Sequence, residues 1–299
     1  MKKIISLLLC FTICFLLVGC TVQPTNDSNK LSIVTSCFPA YDFARQLCKE
    51  YADITLLLKP GQDAHDFEPT PNDIIKIEKC DLFICIGGEN EKWVETLIEN
   101  NAELNIIKML DVVESEEIHT QHNHIHDEHV WTSPVNAKAI TLEIMIRLAD
   151  LSVNNAGLYN KNFAEYTEKL NELDSLFLEI TKNSKIKTVV FADRFPVRHF
   201  TDRYGLQVLS AFPGCSSHTE PNASAVTDLI KAVKQQKISA VFYTEFSNKK
   251  MAETVVSETG CKALLFHSCH NVTKSEFESG ETYYSLMKKN AENLKIALN

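Results

Sequence analysis

Short apolar runs alternate with amphipathic stretches along most of this chain. In the first part, four runs rich in β-branched and apolar residues predict strands over Leu31–Ser36, Ile54–Leu58, Leu82–Ile86 and Ile106–Leu110. The stretches between successive strands have a helical period and predict helices over Tyr41–Lys49, Thr70–Glu78 and Lys92–Glu99. Strands that alternate with helices are typical of a mainly parallel sheet with helices on both faces.

The same alternation returns after residue 185. Nearly continuous apolar runs, as found in buried parallel strands, predict strands over Thr188–Phe191, Ala240–Thr244 and Ala263–Phe266. A helical stripe of apolar residues runs from Val226 to Val233, and a further predicted helix starts at Lys249 and ends at Gly260. The pattern therefore predicts a second α/β lobe.

A long amphipathic stretch separates the two predicted lobes. From Leu158 to Lys182 the chain has no Gly or Pro, and large apolar residues recur at steps of three and four. One helix of this length would extend about 38 Å at 1.5 Å per residue, although two helices broken near Asn171 are an alternative. We predict an N-terminal lobe over 31–155, a rigid linking helix over 156–184 and a C-terminal lobe over 185–299.

The N-terminus predicts export. Lys2 and Lys3 precede an apolar run that ends at Cys20, and this run is too short to span a membrane. The ending Leu17-Val18-Gly19-Cys20 resembles a bacterial lipobox, so we expect a signal peptide over 1–19, a lipid on Cys20 and a flexible tether over 20–30. The expected location is the outer face of the bacterial cell membrane. A secreted protein cleaved elsewhere is the alternative.

Charge and cysteine spacing exclude some functions. The formal net charge is −9, which does not suit nucleic-acid binding. Seven cysteines remain after the predicted anchor, and no Cys-x-x-Cys pair occurs, which argues against a structural zinc knuckle or a thioredoxin-type site. Cys80 and Cys85 lie on or beside an apolar run and are predicted to be small core residues.

Histidines provide the strongest chemical signal. Five of the ten histidines lie within His119–His129. Neutral imidazole binds zinc, copper and nickel well, so this composition predicts metal capture, with a solvated tract of no function as the alternative. His65 lies in a polar Pro/Gly-containing loop after a predicted strand, where ligands bind in open α/β sheets.

Three segments resemble the zinc/manganese-binding lipoproteins of metal-uptake ABC transporters. These segments are Lys59–Pro71, Asp127–Ala137 and Glu281–Asn290. The resemblance implies two α/β lobes bridged by a long helix, with one metal ion in the cleft between them. His65 matches the family's first metal-binding histidine, within Pro-Gly-x-x-x-His, and His129 matches the second, within Asp-x-His-Val-Trp.

The C-terminal lobe departs from the commonest family pattern. Ala192 stands where many relatives carry a metal ligand, and the adjacent Asp193 is a weaker candidate. His267 stands where relatives carry an aspartate, so it is the expected third ligand, with His270 as a neighbour that assists or only hydrogen-bonds. Three imidazoles favour zinc over manganese.

Other residues are expected to have supporting roles or none. Carboxylates that could orient the ligating histidines, or else be solvated or capping acids, are Asp66, Glu68, Asp127, Glu220 and Glu245. His199 and His218 are expected to be non-ligands. A disulfide between Cys215 and Cys269 is one option. His119, His122, His124 and His126 are expected to form an auxiliary zinc-collecting loop beside the site.

The resemblance implies a receptor that captures zinc and delivers it to an ABC permease. We expect a monomer that catalyses nothing. A manganese receptor of the same family, a surface adhesin and a secreted zinc hydrolase are the alternatives. The hydrolase is disfavoured because no His-Glu-x-x-His motif occurs.

Overall fold

The computed structural model describes residues 30–117, 127–212 and 223–299. Its first half contains a four-stranded parallel sheet with the strand order β2-β1-β3-β4. The elements in chain order are β1 (Leu31–Thr35), α1 (Phe38–Cys48), β2 (Ala52–Leu56), α2 (Pro71–Lys79), β3 (Leu82–Cys85), α3 (Trp93–Asn100), β4 (Ile106–Lys108) and α4 (Met109–Glu117). The central strand β1 pairs Ile33 with Ile54 on one side and with Leu82 on the other.

Local sequence accounts for the start of α2. Thr70 accepts a hydrogen bond from the backbone of Asp73, whose carboxylate accepts one from the backbone of Thr70 in return. Pro71 occupies the first turn, where its missing N–H costs nothing. This capping box ends the loop that carries His65 and begins the helix behind it.

Two long helices follow the first sheet. Helix α5 spans Pro134–Leu151 and helix α6 spans Ala156–Asn183, a single uninterrupted helix of 28 residues. The predicted alternative, a break near Asn171, does not occur. Tyr166, Leu170, Leu173 and Phe177 of α6 are all buried, which places the amphipathic stripe against the core.

The second half contains another four-stranded parallel sheet, with the order β6-β5-β7-β8. Its elements are β5 (Thr188–Phe191), α7 (Arg198–Arg203), β6 (Gln207–Ser210), α8 (Ala223–Gln236), β7 (Ala240–Tyr243), α9 (Lys250–Thr259), β8 (Lys262–Leu265), α10 (Lys274–Glu278) and α11 (Tyr283–Ala297). The predicted α/β class, with mainly parallel sheets and one long helix, is confirmed.

One hydrophobic core reaches both sheets. It includes Ile33 of β1 and Phe191 of β5, with side chains from α1, α6 and α11 packed between. The Phe43 ring makes an edge contact with Tyr283, with centroids 5.1 Å apart. Because α1 and α11 belong to opposite halves of the chain, this contact joins the two halves through buried aromatic rings.

The ends of the strands explain where polar residues gather. The loops after β2, β5, β7 and β8 carry His65, Asp193, Glu245 and His270 respectively. In each parallel sheet all carboxyl ends point the same way, so the loops that follow its strands lie at one edge of that sheet. Among the described residues, no helix is both long enough and apolar enough to cross a membrane.

Candidate metal centre

Three imidazoles converge where the two halves of the chain meet. One ring nitrogen from each of His65, His129 and His270 lies within 4.8 Å of the others. The ring centroids are 5.9 Å apart for His65 and His129, 5.5 Å for His65 and His270, and 5.1 Å for His129 and His270. Within the described parts of the chain, this is the only group of three or more His, Cys, Asp or Glu side chains spaced for a metal ion.

A short 3-10 turn positions His65. The turn spans Ala64–Asp66, and Asp63 caps it by accepting a hydrogen bond of 3.1 Å from the backbone N–H of His65. The other carboxylate oxygen of Asp63 lies 3.1 Å from Nη1 of Arg194. The Nδ1 atom of His65 is buried and has no hydrogen-bond partner among the described residues. A buried nitrogen without a partner suits a metal ligand.

The loop that carries His65 is also tied to the chain that follows β8. The side-chain amide of Asn271 donates to the carbonyl oxygens of Lys59 and Gln62, at 2.8 and 2.9 Å. Gly61, whose φ of +89° favours glycine, donates its N–H to the Val272 carbonyl at 2.8 Å. These hydrogen bonds fix the loop that carries His65 against the segment that follows His270.

His129 is oriented by Asp127. Its Nδ1 lies 2.6 Å from Oδ1 of Asp127, and its backbone N–H donates to the same oxygen at 3.0 Å. When Nδ1–H donates to a carboxylate, Nε2 becomes the metal-binding atom. Asp127 also reaches the second half of the chain, because Oδ2 accepts the N–H of Arg198 at 3.3 Å and its carbonyl lies 2.8 Å from Nε2 of His199.

His270 is held by a buried turn after β8. The indole N–H of Trp131 donates to the Ser268 carbonyl at 2.9 Å, and the His270 carbonyl accepts the N–H of Phe38 at 3.1 Å. Cys269 between them has a φ of +62°, in the left-handed region. The Trp131 and His270 rings are 5.0 Å apart. The turn is therefore anchored on α1 and on the segment that bears His129.

The structure places His267 away from the three converging imidazoles. Its Nδ1 accepts the N–H of Cys269 at 2.9 Å, and its Nε2 lies 3.6 Å from Oε2 of Glu276. Asn290 clamps its backbone on both sides, at 2.7 and 2.8 Å. His267 was the expected third ligand and His270 its neighbour, and the structure reverses these positions. The reason is the turn, which points the His267 ring at α10 and the His270 ring at His65 and His129.

Asp193 is also outside the group. Its Oδ2 accepts hydrogen bonds from the backbone and hydroxyl of Thr244, at 2.9 and 2.8 Å, and its Oδ1 accepts the N–H of Arg194 at 2.8 Å. The carboxylate thus joins the loops after β5 and β7. It lines the same cavity as the imidazoles without being one of the converging side chains.

The other residues named from the sequence lie either beside the site or outside the described parts of the chain. Asp127 contacts a histidine of the site, and Glu245 accepts from the N–H and hydroxyl of Ser268, at 2.9 and 2.5 Å. Cys269 has a free, buried thiol. The residues that lie outside the described parts of the chain are Cys20, Cys215, His119, His122, His124, His126, His218 and Glu220.

Burial and the neighbouring imidazoles favour the neutral forms of His65 and His270, whose pKa values are both lowered. Burial lowers the pKa of His65, and the neighbouring His129 adds to this effect. Burial lowers the pKa of His270 further, together with His129 and His65. Burial alone would raise the pKa of Asp127, but its hydrogen bonds with His129 and the nearby charges of His129 and His199 together lower it. Neutral histidine is the form that binds metals, so the site is prepared for a cation at neutral pH.

A cavity adjoins the three imidazoles. Its volume is about 530 Å³, and its walls include all three histidines, Arg194 and Lys250. Pockets that hold small organic molecules are roughly 300–1,000 Å³ in volume. The cavity is therefore much larger than a bare ion requires.

The chain is similar to known zinc-uptake proteins over most of its length. The family model described as ZnuA, zinc-uptake complex component A, periplasmic, matches residues 33–297. The high-affinity zinc uptake system protein ZnuA of Bacillus subtilis (strain 168) is 31% identical over 304 residues, which cover 95% of each chain. The zinc-binding lipoprotein AdcA of Streptococcus pneumoniae (strain R6) is 32% identical over 99% of this chain and 61% of its own. This chain therefore spans about three fifths of that relative.

A solved structure supports the same relationship. The zinc-bound ZnuA-like domain of Streptococcus pneumoniae AdcA superimposes with a TM-score of 0.77 at 28% identity. The match covers 90% of this chain and 99% of that domain.

Proposed function

This chain belongs to the ZnuA family of zinc-uptake proteins, and we propose that it captures zinc outside the cytoplasm and delivers it to an ABC-type permease. The observation that carries the proposal is the convergence of three imidazole nitrogens within 4.8 Å. Zinc takes three or four such donors in a tetrahedron, with the ring nitrogens close to the ion. We assign His65, His129 and His270 as the ligands.

The donor set argues for zinc over manganese. All three converging side chains supply nitrogen, and the carboxylates of Asp63, Asp127, Asp193 and Glu245 already accept protein hydrogen bonds. Manganese prefers oxygen ligands, whereas imidazole suits zinc. Copper and nickel would also bind three imidazoles, so the supply of metal outside the cell contributes to selectivity.

Delivery requires that the protein stays near its permease. We propose that residues 1–19 are a signal peptide and that Cys20 carries the lipid that anchors the chain through the tether over 20–30. We further propose two lobes, over 31–155 and 185–299, joined by the helix over 156–184. The ion would lie between them, where either lobe can release it when the protein docks on the permease.

Alanine substitution of each ligand tests the proposal. Zinc affinity of the purified protein is measured by competition with a chromogenic chelator, and transport by growth of a deletion strain in zinc-depleted medium. We expect His65→Ala, His129→Ala and His270→Ala each to weaken zinc binding at least a hundredfold and to fail to restore growth. Lys231→Ala, on the exposed face of α8, should behave like the parent. Tight zinc binding in all three histidine variants would refute the assignment.

The same protein can be tested for catalysis. We propose that it catalyses no reaction, as its relatives are zinc-binding transport proteins. Zinc-loaded protein is assayed with peptide and ester substrates, with His270→Ala as the matched control. Turnover that is lost both in this variant and on chelation would contradict the receptor function.

A further inference from the structure

Among the described residues, the three-histidine site offers zinc three protein donors, one fewer than a full tetrahedron. Zinc that is bound for storage or structure is normally held by four ligands, and this site presents three converging imidazoles among the described residues. Three neutral imidazoles also leave the two positive charges of the ion uncompensated. Something must supply at least one more donor atom, and an anion would supply charge as well.

The carboxylates around the site are committed elsewhere. Both oxygens of Asp63 are used, by the His65 N–H and by Arg194, and both of Asp127 are used, by His129 and by Arg198. Both oxygens of Asp193 accept hydrogen bonds, and so do both of Glu245. Turning any of these groups toward the metal would leave a buried or partly buried N–H without a partner, which costs free energy.

The cavity beside the imidazoles can admit the missing donor from solution. Its volume of about 530 Å³ suits a small organic molecule, and it opens directly onto all three histidines. Two cationic side chains, Arg194 and Lys250, stand in its wall. Arg194 is held in place by Asp63, on the same turn that positions His65. A guanidinium binds a carboxylate in a defined geometry and therefore favours this class of ligand.

We propose that the protein binds zinc together with a small chelating carboxylate, of the hydroxycarboxylate or amino-acid class. One carboxylate of this molecule, with its adjacent hydroxyl or amine, completes the coordination of the ion held by His65, His129 and His270. Its remaining oxygens lie near Arg194 and Lys250. The cargo is then a metal complex rather than the bare ion. This inference rests on the proposed zinc-binding function and specifies the form in which zinc is held.

Zinc titrations with and without a chelator test the proposal. Free zinc is fixed by a metal buffer, and the zinc concentration at half occupancy of the purified protein is measured alone and with citrate, histidine or acetate. We expect citrate or histidine to lower that concentration at least tenfold, while monodentate acetate changes it less than twofold. Native mass spectrometry should show one protein, one zinc and one chelator in the complex.

A variant separates recognition of the chelator from recognition of the metal. For each variant we take the ratio of the zinc concentrations at half occupancy without and with chelator, and call this ratio the gain. Arg194→Gln should reduce the gain to less than threefold. Arg203→Gln is the matched control, because Arg203 forms a similar pair with Asp174 outside the cavity and should keep the full gain. The ratio is insensitive to any general loss of stability, since each variant is compared with itself.

The outcomes distinguish this inference from the function on which it rests. Tight zinc binding that no chelator improves, with a mass of protein plus zinc alone, overturns the ternary complex and leaves the receptor function intact. X-ray absorption spectra showing the same fourth protein donor with and without chelator would overturn it equally. Absence of tight zinc binding under every condition would instead refute the proposed function itself.

Discussion

The carboxylate of Asp127 lies 2.6 Å from Nδ1 of His129 and, through its other oxygen, 3.3 Å from the backbone nitrogen of Arg198. One side chain therefore fixes the tautomer of a proposed ligand and ties the first half of the chain to the start of α7. Its carbonyl adds a third link through His199. Asp127 therefore affects both the orientation of His129 and the contact between the two halves of the chain.

Loss of the charge on Asp127 should weaken zinc binding without removing a ligand. Asp127→Asn retains the shape of the side chain but binds the His129 N–H less strongly, and losses of this kind typically cost 10- to 100-fold in metal affinity. We expect a drop in that range, measured by chelator competition. Asp228→Asn on exposed α8 is the control. An affinity within twofold of the parent would show that the pair does not tune the metal site.

Two histidines three residues apart should respond differently to substitution. His270→Asn removes one of the converging imidazoles and should abolish tight binding. His267→Asn leaves all three imidazoles but removes the ring that braces the turn against Glu276, so the main effect should be lower stability. X-ray absorption of zinc-loaded protein should count three imidazoles in His267→Asn.

The two substitutions should also differ in their effect on protein stability. Urea unfolding of the metal-free protein should be shifted more by His267→Asn than by His270→Asn, because the ring of His267 is 2% exposed and contacts both the Cys269 backbone and Glu276. The nearby His267 ring also lowers the pKa of Glu276 to about 2. Two imidazoles instead of three in His267→Asn would make His267 the ligand.

Sequence and structure agree best where a motif is long and local. His65 and His129 lie in extended motifs, and both are among the three converging imidazoles. The segment Phe266-His-Ser-Cys-His270 presents two histidines with no local signal to rank them. Their positions are decided by the left-handed backbone at Cys269 and by contacts from Trp131, Phe38 and Asn290. Such distant contacts are not encoded in the spacing of the segment.

The same distinction applies to the fold. The strands β1, β3, β5 and β7 follow apolar runs and were predicted within a residue or so of their observed ends. Strand β6, Gln207–Ser210, was not predicted, because four residues with only partial burial carry no period. Helix α5 was also not predicted, although Ile140, Ile144 and Leu148 follow a helical step and pack on the core. Strand β6 is stabilised by its pairing with β5, and helix α5 by its packing on α6. Neither contact can be inferred from the local sequence pattern.

Zinc affinity should depend weakly on pH down to about pH 6. Protons compete with zinc for imidazole, and a histidine with the ordinary pKa of about 6.5 would be about three-quarters protonated at pH 6. Two such ligands would lower the zinc affinity about fifteenfold between pH 7.5 and pH 6. Because burial lowers the pKa of both His65 and His270, their neutral forms persist to lower pH, and the loss of affinity that these two ligands cause between pH 7.5 and 6 should be below about threefold.

A peptide provides the comparison for this pH dependence. Residues 117–129 made as a synthetic peptide carry exposed histidines with ordinary pKa values, so their zinc affinity should fall steeply over the same range. A parallel fall in the protein and the peptide would show that the protein imidazoles are not kept neutral by burial.

Deletion of residues 117–126 should separate the histidine-rich tract from the tight site. Four histidines of the tract, His119, His122, His124 and His126, are removed, while Asp127 and His129 remain. If the tract only collects zinc, equilibrium dialysis should show fewer weakly bound zinc equivalents and one tight equivalent with unchanged affinity. Replacing the same ten residues by a Gly/Ser segment of equal length controls for chain length, because it keeps the span to Asp127. Loss of the tight equivalent in both variants would mean that the tract itself supplies ligands, and the three-imidazole assignment would then be wrong.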